Sequence, residues 1–204
     1  MPAPPLAEGQ RGLNTERRMS VKESTLAIRA QAGDLEAFGE LVELFSAQAR
    51  RVARAVLGDP DDGDDAAQDA FLSALRHLKR YDPSRPFGPW LMRIVANAAA
   101  DRRRRRKVRA AEELSESTAG GGAGPDVETD RRAFLEAFRS ALARLPERQR
   151  MAVTLFDVEG YSHAEIADIL GIPQGTVRSD VFHARRRLRL ALTCWQHHWK
   201  EEVV

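Results

Sequence analysis

Apolar residues recur at helical spacing in two stretches of the chain, from about Glu23 to Lys107 and from about Arg131 to Trp199. The clearest stripe of the first stretch consists of Leu35, Phe38, Leu41, Val42 and Phe45. Because these residues follow the spacing i, i+3, i+6, i+7 and i+10, they share one face of a long helix, for which Asp34 is the expected N-cap. The pattern predicts an all-α protein.

Further helices are expected on both sides of the turns that prolines and glycines mark. In the first stretch they should run from about Asp64 to Arg80 and from about Phe87 to Lys107, with the proline-rich turn Tyr81 to Pro86 between them. The inward residues of the first of these helices are expected to be Ala67, Phe71, Ala74, Leu75 and Leu78. In the second stretch, the breaks at Leu145-Pro146, Glu159-Gly160 and Leu170-Gly171 imply about four helices.

The periodicity divides the chain into two small helical domains, residues 23–107 and 131–195. Residues 1–22 are rich in proline and lack periodic apolar positions, so we expect a disordered tail there. Residues 108–130 contain six acidic residues against the single Arg109, together with a glycine-rich run, and are expected to form a flexible acidic linker. Residues 196–204 form a short C-terminal tail.

Composition supports the helical prediction and excludes several classes of protein. Hydrophobic residues make up 43%, charged residues 30% and aromatic residues 6% of the 204 residues. A single cysteine, Cys194, cannot form an internal disulfide, and no run of about 18 apolar residues or basic-then-apolar leader occurs. The sequence therefore predicts a cytoplasmic protein that does not insert into membranes. Since no P-loop, catalytic carboxylate pair, Ser-His-Asp set or paired-cysteine zinc pattern is present, we expect neither an enzyme nor a cofactor.

The second domain contains the pattern of a helix-turn-helix. Ala167 occupies the position where two helices touch, Gly171 supplies the tight turn and Pro173 opens the second helix. The expected buried positions are Ile166, Leu170, Ile172, Val177, Val181, Ala184, Leu188 and Leu192. The opposite face carries Gln174, Thr176, Arg178, Ser179, Phe182 and His183, followed by Arg185, Arg186, Arg187 and Arg189. Hydrogen-bonding groups with an apolar edge suit bases in a major groove, and the arginines suit phosphates.

The first domain segregates its charge, although the net charge of the whole chain is only +2. Six aspartates lie within residues 59–69 at a helix start, more than a cap needs, which indicates a basic protein partner. A basic run follows at residues 102–109. Upstream of this run, Arg93, Asn97 and Asp101 share a helix face beside Tyr81, Phe87 and Trp90. Aromatic rings beside a basic, hydrogen-bonding face suit single-stranded bases, although periodicity alone favours Trp90 as a core residue.

Both blocks together resemble the extracytoplasmic function (ECF) sigma factors, the smallest members of the sigma-70 family of bacterial initiation subunits. The segment DDAAQDAFLSALRHLKRYDPSRPFGPWLMRIVANAAADRRRR is similar to sigma domain 2, and LPERQRMAVTLFDVEGYSHAEIADILGIPQGTVRSD is similar to sigma domain 4. The resemblance covers residues of about 23 to 195. It implies that domain 2 binds core RNA polymerase and captures the −10 element, while domain 4 reads the −35 element and rests on the β flap.

The resemblance also implies roles for individual residues. The residues expected to dock on the β′ clamp helices of the polymerase are Asp65, Gln68, Asp69 and Phe71. The residues expected at the −10 element are Trp90, Arg93, Asn97, Asp101 and Arg102. The residues expected at the −35 element are Gln174, Thr176, Arg178, Ser179, Asp180, Phe182, His183 and Arg186. An anti-sigma factor is the further partner that the family implies.

Two residues depart from the family pattern. Asp180 stands where a basic residue is usual on the recognition helix, and His183 stands where arginine is common. We hypothesise that Asp180 either accepts a hydrogen bond from a cytosine amine or pairs with a nearby arginine such as Arg185 or Arg187.

A length estimate agrees with the sigma-factor interpretation. Promoter elements some 17 base pairs apart lie about 60 Å apart. The predicted linker, fully extended, spans at most about 80 Å.

The predicted function is therefore that of an alternative sigma factor that directs promoter-specific initiation and assists strand opening. The alternative is a stand-alone helix-turn-helix regulator, which would leave the aspartate cluster and the −10 face without a purpose. Cys194, His197 and His198 could share a helix face and bind zinc, but a plain amphipathic helix end with packed tryptophans is the favoured interpretation.

Overall fold

The computed structural model describes residues 21–112 and 127–195. The first part forms α1 (Val21–Gln31), α2 (Leu35–Leu57), α3 (Pro60–His77), a 3₁₀ turn (Leu78–Arg80) and α4 (Phe87–Glu112). The second part forms α5 (Val127–Ala143), α6 (Glu147–Val153), a π-helical turn (Thr154–Val158), α7 (His163–Leu170), α8 (Gln174–Ala191) and a 3₁₀ turn (Thr193–Trp195). Throughout these two ranges the regular structure is helical, which confirms the all-α prediction.

The long helix α2 begins where the sequence predicts. The Asp34 carboxylate accepts a hydrogen bond from the backbone N of Ala37 at 3.0 Å, so Asp34 is the N-cap. At the other end the chain turns at Gly58, whose φ of 74° lies in the left-handed region that glycine adopts without strain. The side chains of Phe38, Leu41 and Phe45 are buried, as the periodic stripe predicts. Val42 is half-buried, and Leu35, at the first position of the helix, is 69% exposed, contrary to the stripe.

Helix α3 begins at Pro60, before the predicted start at Asp64. The reason is that Asp59 caps the helix, its carboxylate accepting from the backbone N atoms of Asp61 and Asp62. The buried face of α3 consists of Gly63, Ala66, Ala67, Ala70 and Ala74. These small side chains allow α3 to lie close to α2. Leu75, which the sequence placed inside, is 38% exposed.

The segment between the two helical parts is shorter than the predicted linker. Helix α4 begins at Phe87 as expected but continues to Glu112, and α5 already begins at Val127. Both ends of the 108–130 segment are therefore helical. Arg109, Ala110, Ala111 and Glu112 have good helix propensity and continue α4, and the acidic Glu128 and Asp130 favour the first turn of α5. Residues 113–126 lie outside the described part of the chain, as do most of the predicted N-terminal tail and all of the C-terminal tail.

The two parts share a hydrophobic core. Leu41, Leu91 and Val95 of the first part belong to the same cluster of buried side chains as Ile166 and Val177 of the second. Helix α7 packs on α4, and α6 packs on α2. The sequence predicted two domains but gave no indication of this contact. Within the described ranges no helix combines the length and the apolar character needed to cross a membrane.

Candidate nucleic-acid and protein-binding surfaces

Helices α7 and α8 form the predicted helix-turn-helix. Ser162 caps α7 in a capping box with Glu165, in which each side chain accepts a hydrogen bond from the other residue's backbone N. Gly171 then turns the chain with a φ of 66°, and Pro173 precedes the first residue of α8. The side chains of Ile166, Val177 and Val181 are buried in one cluster that holds the two helices together, whereas Ala184 is buried against Leu145 and Val153. Ile169, which the sequence analysis did not single out, is buried with them.

The outward face of α8 presents most of the residues predicted to read DNA. The exposed members are Gln174, Arg178, Ser179, Phe182, His183 and Arg186, and Thr176 is half-buried. The Phe182 ring is 62% exposed and meets the edge of the His183 ring, with 5.4 Å between the ring centroids. An exposed aromatic ring at this place on a helix can contact the methyl group of a thymine.

Asp180 lies on the opposite side of α8 from this face. Its side chain is only 5% exposed, and it accepts hydrogen bonds from Arg148 Nε at 2.6 Å and from Arg148 Nη2 at 3.3 Å. The partner arginine therefore comes from α6, not from α8 as the sequence suggested. Because the carboxylate is buried and already bonded, Asp180 positions α8 against α6 and has no free oxygen facing outward.

Arg185 is also engaged within the protein. It pairs with Asp157 of the π-helical turn, and its guanidinium carbon lies 5.0 Å from the centroid of the Phe156 ring. The basic run suggested that Arg185 contacts a phosphate. In the structure its guanidinium group instead contacts Asp157 and Phe156. Arg186, Arg187 and Arg189 are exposed.

An open groove of about 700 Å³ lies between α3 and α4. All five residues predicted for the −10 element line it, namely Trp90, Arg93, Asn97, Asp101 and Arg102. Three further arginines line the groove: Arg105 of the predicted basic run, and Arg76 and Arg80, which the sequence analysis did not single out. Arg76 lies in the last turn of α3 and Arg80 in the following 3₁₀ turn, opposite the basic helix α4. The groove thus combines an indole, an amide and five guanidinium groups, a set that suits the bases and phosphates of a single strand.

Only one of the three predicted aromatic rings borders the groove. Tyr81 and Phe87 are buried, with 5.4 Å between their ring centroids. Both rings pack against the ring of Trp90. Burial raises the pKa of Tyr81 to about 12, and its hydroxyl donates to the carbonyl of Arg85 in the proline-rich turn. Tyr81 and Phe87 therefore do not stack on bases in this arrangement. Trp90 is half-buried, so it packs on the core and still contributes to the groove wall.

The residues predicted for polymerase docking lie on the outer surface of α3. Asp65, Gln68 and Asp69 are exposed and Phe71 is half-buried. Gln68 and Phe71 also line a second, more apolar groove of about 420 Å³ between α2 and α3, together with Phe38, Val42 and Leu72. Acidic side chains beside an apolar groove suit an amphipathic, basic helix of another protein.

An ion-pair network connects the outer surface of α3 with the groove between α3 and α4. Arg102 lies 2.8 Å from Asp62, 2.7 Å from Asp65 and 3.9 Å from Asp69, and Arg106 lies 3.0 Å from Asp62. The hydrogen bonds from Arg102 and Arg106 hold the pKa of Asp62 below its usual range. Part of the aspartate cluster thus binds the basic end of α4. The sequence interpretation had assigned the aspartates and the basic run to two different partners.

The described residues contain no cluster of metal-ligating side chains. The zinc hypothesis for Cys194, His197 and His198 falls outside the part of the chain whose side chains are described.

Comparison with known families gives one match in each helical part of the chain. The model of sigma-70 region 2 matches residues 41–109, which include α3, α4 and the groove between them. The model of sigma-70 region 4 matches residues 135–188, which include the helix-turn-helix. The two matches lie in different parts of the chain and belong to the same family. The protein is therefore a transcription initiation factor of the sigma-70 type.

Similar proteins with known names identify the group within this class. The ECF RNA polymerase sigma factor SigM of Mycobacterium tuberculosis is 40% identical over 157 residues, which are 77% of this chain and 78% of SigM. The ECF RNA polymerase sigma-E factor of Escherichia coli is 35% identical over 178 residues, 81% of this chain and 92% of the relative. The structure of CnrH in complex with the cytosolic domain of CnrY matches with a TM-score of 0.66 at 28% identity, covering 85% of this chain and 98% of that one.

The chain belongs to the ECF group of RNA polymerase sigma factors. It is an alternative sigma factor that directs transcription initiation and is not an enzyme. A stand-alone helix-turn-helix regulator, the alternative raised by the sequence, would account only for residues 135–188 and is excluded by the region 2 match.

Proposed function

We propose that the chain reads a promoter with two separate surfaces while docked on core RNA polymerase. The outward face of α8 reads the −35 element as duplex, and the groove between α3 and α4 captures unstacked bases of the −10 element. The observation that carries this proposal is the groove itself, because Trp90, Asn97 and its arginines converge on one open cleft. Duplex DNA offers a regulator no unstacked bases, so such a cleft suits strand opening.

The energies are compatible with opening without nucleotide hydrolysis. Extruding a base costs a few kcal/mol. Stacking on an aromatic ring returns about 1 to 3 kcal/mol per base, and the surrounding arginines add contacts to phosphates. Capture of one or two bases by Trp90 and its neighbours therefore offsets most of the cost of unpairing them.

We assign polymerase docking to the outer surface of α3. Asp65, Gln68 and Asp69 are exposed there, with Asp65 and Asp69 beside Arg102, and Phe71 borders the apolar groove. The proposed counterparts are the clamp helices of the β′ subunit, and the β flap is the proposed contact of residues 131–195. With these proposed partners, the proposed location of the activity is the bacterial cytoplasm.

A protein that sequesters the chain is the further proposed partner. The sigma factor RpoE of Bartonella quintana was solved in complex with the anti-sigma factor NepR, and it matches this chain with a TM-score of 0.61 at 28% identity over 76% of this chain and 96% of that one. The exposed apolar groove between α2 and α3 is the surface that such a partner would cover.

Run-off transcription with sigma-free core polymerase and a pool of genomic promoters tests the proposal. Addition of this chain should produce transcripts that share −35 and −10 sequences upstream of their starts. Asn97→Ala should reduce transcription roughly tenfold or more on those promoters, because the amide is exposed in the groove and free to contact a base edge. Lys79→Ala is the matched control, since Lys79 is exposed nearby but does not line the groove.

Two outcomes would contradict the proposal. If the chain binds core polymerase but Asn97→Ala transcribes as well as the parent on every −10 sequence, the groove does not capture the −10 bases. If Lys79→Ala loses as much activity as Asn97→Ala, the effect reflects general charge or folding and not base recognition.

A further inference from the structure

The fold gives a reason for most of the glycines in the described ranges. Four of them adopt a positive φ, the conformation that favours glycine, namely Gly33, Gly58, Gly160 and Gly171. Gly63 and Gly88 lie in crowded places, because a Cβ added at either residue would be 3.0 Å or less from another residue. Gly39 of α2 and Gly175 of α8 have neither reason, because a Cβ added at either of them would meet nothing within 4 Å.

A glycine within a helix is unfavourable unless something compensates for it. It loses more backbone freedom on folding than alanine does, and it lowers the stability of the helix. Gly39 and Gly175 are both exposed, and the described part of the chain makes no contact that a side chain at either position would disturb. The fold alone therefore accepts alanine at both positions, and a functional reason for glycine at either one has to come from a binding partner.

Their positions separate the two glycines. Gly39 lies on α2 and lines neither of the two grooves. Gly175 is the second residue of α8, and it precedes Ser179 and Phe182 by four and seven residues. Residues at these spacings share one face of a helix. Gly175 therefore lies on the outward face of α8, at its N-terminal end.

Side chains along the middle of this outward face become larger from the N-terminal to the C-terminal end of α8. Gly175, Ser179, Phe182 and Arg186 follow one another at spacings of four, three and four residues, and all of them are exposed. A helix with its smallest residues at one end can approach a partner most closely with that end. Helix-turn-helix proteins place the N-terminal residues of their second helix against base edges, so the order of side-chain sizes fits an approach to DNA.

The residues just before Gly175 add little bulk to this end of the helix. Gly171 and Pro173 are exposed, and Pro173 precedes α8 without a side-chain hydrogen bond. Among residues 171–175, the long side chain that is exposed is that of Gln174. Gln174 and, one turn later, Arg178 can therefore extend beyond a low surface and reach base edges while the backbone of the first turn comes close to the duplex.

We infer that Gly175 is a determinant of −35 recognition, because its missing side chain lets the first turn of α8 lie directly against the duplex. A methyl group at this position would hold the helix away from DNA and lengthen the contacts of Gln174 and Arg178, although the free protein has room for it. The inference rests on the proposed function of α8. It predicts effects of opposite sign on stability and on binding, which a purely structural role of Gly175 would not produce.

The variant Gly175→Ala tests the inference in two measurements on the full-length chain. In urea denaturation its midpoint should equal or exceed that of the parent, because alanine favours the helix. The second measurement is the binding of holoenzyme, reconstituted with core polymerase, to a library of −35 duplexes. This binding should weaken roughly tenfold, about the value of one lost base contact. Gly175→Leu should weaken it further, because a larger side chain holds α8 further from the duplex.

The matched control is Gly39→Ala. It makes the same substitution at an exposed helical position with the same open space, on a helix to which no DNA contact is assigned. Its urea midpoint should also equal or exceed that of the parent, and its binding to the duplex library should be unchanged. Arg178→Ala tests the proposed function of α8 separately, because it removes an exposed side chain from the same outward face.

The outcomes distinguish this inference from the proposed function. If Arg178→Ala weakens binding and Gly175→Ala does not, α8 reads the −35 element and the inference is wrong. The inference is also wrong if Gly175→Ala lowers the urea midpoint, or if Gly39→Ala weakens binding as much, because the loss then reflects folding and not contact with DNA. If neither α8 variant alters binding, or if the parent selects no −35 sequence, the proposed role of α8 and the inference fail together.

Discussion

Asp180 illustrates at the scale of one residue how a polar side chain on a recognition helix can serve the fold. Its carboxylate is buried against Arg148, which is half-exposed and reaches it from α6. The side-chain hydrogen bond to Asp180 raises the pKa of Arg148. The pair joins α8, the helix proposed to read DNA, to α6, so it fixes the angle between these two helices.

Replacement of Asp180 by asparagine should therefore reduce stability more than it changes base preference. Asn keeps the volume but turns an amide NH₂ toward the guanidinium, and loss of a charged hydrogen bond of this kind costs about 1 to 2 kcal/mol. Urea denaturation of Asp180→Asn measures this loss, and Asp168→Asn, at an exposed position of α7, is the control. An unchanged free energy of unfolding together with an altered −35 sequence preference would show instead that Asp180 contacts DNA.

The sequence identified single residues well where their role is local. Asp34 and Gly171 act on their own helix ends, and cap and turn chemistry depends on neighbours a few residues away. It identified them poorly where the partner is distant in the chain. Arg148 and Asp180 are 32 residues apart, and no local pattern distinguishes a carboxylate that faces another helix from one that faces DNA.

At the scale of an element, α8 divides its outward arginines between two positions along the helix. Arg178 lies in the second turn, near the N-terminal end that enters a major groove in helix-turn-helix proteins, and Arg186 lies two turns later. Both are exposed. We expect Arg178 to contact a base edge and Arg186 to contact a phosphate.

The two contacts predict different responses. Arg178→Ala should relax the preference at one −35 base pair by about 1 to 3 kcal/mol, whereas Arg186→Ala should weaken binding to all sequences and reduce the salt slope of log K by about 1. Binding of the reconstituted holoenzyme to a −35 duplex library at several salt concentrations measures both quantities. Each variant serves as the charge-matched control of the other. Identical effects of the two variants would contradict the division.

Helix positions were predicted with useful accuracy from periodicity, but their lengths were not. Helix α3 begins four residues before the predicted start, at Pro60, because Asp59 caps it. Helix α4 continues past the predicted end to Glu112, because the arginine and alanine residues there have good helix propensity. Of the groove between α3 and α4, the face carried by α4 was predicted, whereas Arg76 of α3 and Arg80 of the 3₁₀ turn became apparent only from the packing of α3 against α4. Periodicity describes one helix at a time and does not show which neighbour completes a groove.

At the scale of the whole molecule, the contact between the two parts could not have been predicted. Gln48 and Glu159 are separated by 111 residues, and Arg150 and Val56 by 94. Each of these residues has an ordinary sequence environment. Their pairing depends on two helical surfaces meeting in one register, which the resemblance to a two-domain family does not specify.

Acid sensitivity is a property of the whole fold that the aspartates predict. Hydrogen bonds to backbone N atoms, to arginines and to a serine hydroxyl lower the pKa values of Asp34, Asp62, Asp64 and Asp82. A carboxyl whose pKa is lower in the folded state than in the unfolded state stabilises the fold above its unfolded pKa, and this contribution is lost as pH falls through the folded pKa. The free energy of unfolding should therefore be constant from pH 7 to about 5 with respect to these groups and decline below about pH 4.

Asp62 should contribute visibly to this acid limb, because its carboxylate is the one that binds both Arg102 and Arg106. Asp62→Asn removes the ionisation that the two guanidinium groups favour, so the variant should be less stable at pH 7 and its stability should fall less steeply between pH 5 and 3. Urea denaturation at a series of pH values measures both effects. Asp61→Asn is the control, because it makes the same charge change on the same turn of α3 without removing a contact of Arg102 or Arg106. A slope that Asp62→Asn leaves unchanged would mean that the network at the basic end of α4 is too solvated to favour the ionised form of Asp62.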